Sequence, residues 1–185
     1  MNGHRKLLAA VCCLLTVPVQ ADEWQSTSGS HFTFETDFEG VQTPGEFTRF
    51  EVTLISDTAS PAEGQLRVSV NLRAADMGDP EMNDVLFDAA WFDTRHYAKA
   101  VFSSTAISKR SPGEFYARGI LDLKGTRKTI DVPFSWTVSG DTASLKGKLL
   151  LNRNDFHIGS GKWASDEAIG LNVKLKFRVQ LERKH

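Results

Sequence analysis

Cysteine is nearly absent from this sequence, and its only two copies, Cys12 and Cys13, stand side by side near the N-terminus. They fall in a segment built like a secretory leader. Arg5 and Lys6 precede an uncharged apolar stretch from Leu7 to Val19, and Val19-Gln20-Ala21 places a small residue at the cut. The expectation is a signal peptide over residues 1–21 and one domain over 22–185, exported to the periplasm. That domain has no cysteine, which excludes disulfides and thiolate metal sites. An acylated Cys12 is the alternative, but Ala9-Ala10-Val11 does not match the Leu-small-small lead of such sites. A second long hydrophobic run is also lacking, whereas a spanning helix needs about 20 apolar residues, so the mature chain is expected to be soluble. Nor does one sign of charge dominate. Without Arg5 and Lys6 the chain keeps 20 basic and 23 acidic side chains, interspersed. That pattern leaves no footprint for nucleic acid and none for strong docking on anionic membranes.

Chemistry-bearing clusters are missing as well. His31, His96 and His157 each stand without Cys or His at metal spacing. Ser103, Ser104, Asp93 and His96 lie close in sequence, yet nothing arranges them as nucleophile, base and orienter. Asp76, Asp79 and Glu81 read as solvated acids around a helix cap. We therefore expect no catalytic residue, no metal and no covalent cofactor.

Period-two alternation is what the sequence has in abundance. Ile169, Leu171, Val173, Leu175, Phe177, Val179 and Leu181 alternate with residues that are almost all polar or charged. Side chains of a strand point to opposite faces in turn, so one face is apolar throughout. The pattern recurs at Ile130–Trp136, Phe115–Leu123, Leu66–Leu72, Phe50–Leu54, Phe32–Phe34 and Ala143–Leu151. Turn signals such as Thr43-Pro44-Gly45, Ser111-Pro112-Gly113 and Ser139-Gly140-Asp141 separate the runs. Roughly eight one-sided strands with short connections predict an all-β fold, an antiparallel barrel or sandwich. Asp79 to Phe87 breaks the pattern and reads as one short helix near the mouth, with Asp79 as N-cap and Pro80 at the first position. An outer-membrane barrel would face lipid with an apolar outside. Lys146, Lys148, Lys174, Lys176 and Arg178 occupy that second face at mid-strand instead, where charge against lipid is costly. The apolar face must point inward, as in lipocalin-like binders.

The inward parity nominates a lining. Phe32, Phe34 and Phe50 come from the first strands, and Phe102, Phe115 and Gly119 from the middle ones. Val132, Phe134, Trp136, Gly147, Leu149, Val173, Leu175 and Phe177 complete it. A solid core made of the same residues is the competing reading. Ala117, Gly119 and Gly147, small on that face, are expected to leave space open. Arg153 shares the inward parity at a strand end. Two roles stay open for it: contact with a ligand's polar head, or pairing with a carboxylate such as Asp155 to fix the strand end. Trp91 and Phe92 either pack under the helix or line the opening.

Several segments resemble one family in order. Ser30-His31-Phe32-Thr33-Phe34 with Gly45-Glu46-Phe47 is similar to the opening of the YceI family. Trp91-Phe92-Asp93, His96-Tyr97 and Phe102-Ser103-Ser104 resemble its next block. Gly119 to Lys128 resembles its hairpin, and Leu151-Asn152-Arg153-Asn154-Asp155-Phe156 its "[IL]-x-R-x-D-F" signature. Ala98 stands where the family often has Pro, His157 where it usually has Gly, and Asn83 where Arg is frequent. The resemblance implies an eight-stranded lipocalin-like barrel with one helix. It also implies an internal tunnel for a polyisoprenoid lipid, a polyprenyl chain or the tail of an isoprenoid quinone, held for carriage or storage. The Gly159-Ser160-Gly161-Lys162-Trp163 tract resembles a variant encoded beside membrane-bound b-type cytochromes, which implies such a cytochrome as a partner. A filled barrel with a structural, stress-related or interaction role in the periplasm is the alternative function.

Overall fold

The computed structural model describes residues 21–56 and 60–184. The expected leader, residues 1–20 of it, lies outside the described residues. Strand β1 (Asp22–Ser26) begins directly after the expected cleavage point, and β2 (His31–Phe38), β3 (Val41–Phe47), β4 (Phe50–Ser56), β5 (Gln65–Asn71) and β6 (Ala75–Asp76) follow. Helix α1 (Pro80–Phe87) then precedes β7 (Lys99–Ser111), β8 (Glu114–Leu123), β9 (Thr126–Ser139), β10 (Thr142–Asn152) and β11 (Asn172–Lys184).

These segments make a closed antiparallel barrel of eight staves. β1 and β2 are successive parts of one stave, since both pair with β11, at Ser26↔Leu181 and at Arg178↔His31. β3 and β4 form the next stave and β5 with β6 the third. The remaining five run in order from β7 to β11, and pairing of β11 with β1 closes the ring. Closure removes the free edges that a flat sheet would expose. Each stave neighbours the one before it in sequence, so the connections alternate between the two ends. One end carries α1, the Leu123–Thr126 turn and the long 153–171 connection, and we call it the helix end. The other carries the tight turns at 112–113 and 140–141.

The alternation behaves as its period requires. Lys146, Lys148, Lys174, Lys176 and Arg178 are exposed on the outside. Val179, Leu181, Leu145 and Ala143 are buried inside. In β7 the ladder slips between Ser104 and Ala106. Such a bulge adds one residue and reverses the parity, so even-numbered Phe102 and odd-numbered Ile107 are both buried. Asp79 caps α1 as expected, its carboxylate accepting from the N–H groups of Glu81 (2.8 Å) and Met82 (3.1 Å). The last strand is shorter than its alternation suggests. Ile169 makes a single bridge with Phe38, and β11 begins at Asn172.

Candidate functional site

The barrel encloses an apolar cavity of about 460 Å³ toward its helix end. One wall is aromatic: Phe32 and Phe34 of β2 meet Phe47 of β3 with ring centroids 5.3 and 5.0 Å apart, and Phe50 lies 5.7 Å from Phe32. Phe32 meets Phe47 and Phe50 edge to face, while Phe34 lies tilted against Phe47. Ile130, Val132, Leu149 and Leu151 of β9 and β10, with Val173 and Leu175 of β11 next to β2, add shorter aliphatic side chains to the lining. Met82, Val85 and Leu86 of α1, with Trp91, Phe92 and Trp163, roof the helix end.

Ten of the expected lining residues surround this space: Phe32, Phe34, Phe50, Phe102, Val132, Phe134, Leu149, Val173, Leu175 and Phe177. Four do not. Phe115 and Trp136 pack into the opposite end, Phe115 stacked on Phe134 at 5.6 Å and Trp136 edge-on to Trp24 at 5.5 Å. Gly119 and Gly147 do not hold space open; their neighbours already fill it. A Cβ at Gly147 would meet Phe177 Cε2 at 2.6 Å and also the Pro133 carbonyl, and one at Gly119 would lie 2.6 Å from Ser104 Cα. Ala117, the third small residue, is wholly buried in the packed end.

Arg153 borders the cavity but is not paired with Asp155. It is 3 % exposed, and its guanidinium donates to the carbonyls of Ile158, Gly159, Ser165, Ile169 and Gly170 and to Asn154 Oδ1, over 2.8–3.2 Å. A guanidinium has five N–H groups, and all are engaged. Burial lowers its pKa somewhat, and Asp166 opposes the shift. Its plane also lies over the Trp91 ring at 5.7 Å. Arg153 therefore fastens the 158–170 connection across the helix end. Asp155 pairs instead with Lys128, at 2.6 Å. His157, in the family's usual glycine position, has a φ of 55°, in the left-handed region where glycine sits without strain.

Two polar groups at the cavity lack partners: the buried Trp91 Nε1 and Thr36 Oγ1. Glu81 is the one carboxylate among the lining residues. Phe47, Leu121 and Ile130 are lining residues missing from the expected set, although the strand parity held the signal for Ile130 and Leu121. Phe156, Ile158 and Ile169 also line the cavity, but they sit in irregular chain with no period to mark them. Among the described residues no group of three or more His, Cys, Asp or Glu could hold a metal ion. Asp93 pairs with His96 Nδ1 at 2.8 Å. The Ser103 and Ser104 hydroxyls face β5, accepting from Arg67 Nη1 and from the Leu66 N–H. Lys124 Nζ donates to the His157 carbonyl at 2.8 Å; burial lowers its pKa, against the pull of Asp93.

A closed meander barrel, packed at one end and hollow at the other, is the architecture of small barrels that hold an apolar ligand. The YceI-like domain model matches residues 21–181, and the chain belongs to that family. It is 24 % identical over 138 residues to Protein YceI of Escherichia coli O157:H7, covering 71 % of this chain and 72 % of that one. A UPF0312 protein of Shewanella oneidensis is 26 % identical over 147 residues, covering 75 % and 77 %. Among solved structures, Burkholderia cenocepacia BcnA superposes with a TM-score of 0.78 at 28 % identity, over 82 % of this chain and 95 % of that one. A polyisoprenoid binding domain from Saccharophagus degradans gives 0.70 at 15 % identity, over 89 % and 100 %.

Proposed function

We propose that this protein is an exported, non-enzymatic carrier or store that holds the chain of a polyisoprenoid lipid in its barrel. The hollow helix end carries the reading, because a barrel with a purely structural role has no need of an apolar space of about 460 Å³. Burying apolar carbon is worth roughly 0.8 kcal/mol per CH₂, about 4 kcal/mol for a five-carbon unit at most. Association costs an estimated 4–15 kcal/mol, so about three to five buried units reach micromolar binding, near −8 kcal/mol. At roughly 30 Å³ per non-hydrogen atom, the liquid share of a water molecule, the cavity has room for about three units. Chain burial alone then suffices for useful affinity, and any longer chain must protrude.

The polar groups favour a neutral head over a phosphate. Arg153 has no donor left, Glu81 repels anions, and the Trp91 N–H and Thr36 hydroxyl are neutral donors suited to carbonyl or ether oxygens. A quinone ring supplies such an acceptor, and it is also the head that a b-type cytochrome partner would use. Organic extracts of the protein purified from periplasm, read by mass spectrometry, should contain isoprenoid quinone. Titrating prenyl chains of increasing length gives the second test: affinity should rise through about three units and then level off. Affinity indifferent to length would rule the carrier out.

A further inference from the structure

The barrel wall is not closed along its whole height. β9 and β10 pair from Thr142↔Ser139 to Gly147↔Phe134, and there the ladder stops. Both strands continue toward the helix end, β9 back to Thr126 on β8 and β10 on to Asn152 on β11. Pro133 stands at the break. It has no N–H to give to a ladder, and its carbonyl is turned toward Gly147 of β10. Beyond it a cleft of about 270 Å³ separates the strands. Ile130, Leu149, Leu151, Asn152 and Phe156 border both this cleft and the central cavity. The outer lip carries Leu150, 56 % exposed although it lies in a strand. Lys128 of β9 reaches across the helix end of the cleft to Asp155, beyond β10.

We infer that this cleft is a second opening of the cavity, a lateral portal through which an isoprenoid chain passes the barrel wall. The inference rests on the carrier reading above and adds the route. Clearing the helix end requires moving α1 or a connection held by every donor of a buried arginine. Parting β9 and β10 further breaks one exposed ion pair, because the ladder there is already absent. Apart from Asn152 at the helix end, the inner lips are apolar cavity residues, so a chain sliding between them stays among carbon as it leaves the cavity, and Leu150 extends that surface outward.

A gate changes rates and leaves equilibrium alone, which separates it from a lining contact. Extending the register past Gly147↔Phe134 sets Leu150 opposite Asp131, and both side chains point outward. Asp131→Cys with Leu150→Cys, in a full-length Cys12→Ser, Cys13→Ser background, can be bridged by a short bis-maleimide. The probe is a fluorescently labelled geranylgeraniol followed by stopped flow. The bridged protein should take up and release the probe at least tenfold more slowly, by the same factor in both directions, with Kd unchanged. Asp155→Asn, which frees Lys128, should speed both rates about two- to fivefold, the scale of one exposed ion pair. Unchanged rates in the bridged protein would overturn the portal while leaving the carrier reading intact. A weaker Kd, with uptake and release changed by different factors, would overturn it as well. No binding of the probe by the unmodified protein would instead overturn the carrier reading, and the portal with it.

Discussion

The two ends of the barrel are written in the same alternation and finish differently. At the tight-turn end Trp24, Leu54, Ala117, Trp136 and Leu181 are each at most 5 % exposed, and none of them borders the cavity. At the helix end Phe32, Leu149, Val173 and Leu175 point inward by the same rule, yet they face a cavity. The closed end spans its diameter with two tryptophans in edge contact. At the open end Phe32, Phe34, Phe47 and Phe50 cluster on β2, β3 and β4, and the shorter Ile130, Leu149, Val173 and Leu175 stand on β9, β10 and β11. Total apolar content therefore does not decide whether a barrel is full. The placing of large residues at each level does.

Substitutions should expose this asymmetry. Trp136→Ala removes a ring from the packed end, where little collapse is open to its neighbours, and should cost about 3–5 kcal/mol in denaturant unfolding. Leu175→Ala, beside existing space, should cost nearer the transfer part alone, about 1.5 kcal/mol. Equal losses would erase the distinction between the ends. Arg153→Met is expected to rival the tryptophan change. It leaves several buried carbonyls without donors, each worth about 1–3 kcal/mol, and hydrogen exchange should show protection lost over residues 157–171 first. Gly147→Ala should destabilise by about 1–3 kcal/mol through overpacking against Phe177 and the β9 backbone, with no selective loss of ligand capacity. Val173→Phe should shift stability by no more than about 1 kcal/mol, since it fills space, while shortening the preferred prenyl chain by roughly one unit.

The smallest effect is electrostatic. Asp76, at the approach to α1, is held below the usual carboxylate pKa by hydrogen bonds from Asn83 and then from the Gly78 N–H. A carboxylate depressed in the fold stabilises it above the unfolded pKa, and that contribution fades as pH falls through the folded value. The difference in stability between the protein and Asp76→Asn should accordingly be constant at neutral pH and vanish in acid below the unperturbed carboxylate range. A difference that grew on acidification would contradict the assignment.

The barrel and its inward face were legible because a strand's side chains alternate whatever lies around them. The helix was legible because Asp79 and Pro80 mark a start locally. Ten cavity residues followed from parity alone. Parity gives a direction without a distance, so it gathered Phe115 and Trp136 into the same face and could not say that they meet partners across the barrel. Gly119 and Gly147 misled for the same reason: a small side chain signals open space only when no neighbour has moved into it. Pro133 lies within the alternating run from Ile130 to Trp136, and its missing N–H stands where the β9–β10 ladder ends.

By itself, then, the sequence determined what is local and periodic: eight antiparallel staves, which side of each is apolar, and where one helix begins. Only the tertiary structure decided which inward side chains touch, that Arg153 has every donor engaged, mostly by backbone carbonyls, and that the cavity and the cleft beside it exist. Those are properties of distances between residues far apart in the chain, set by ring closure and packing, and no local pattern encodes them.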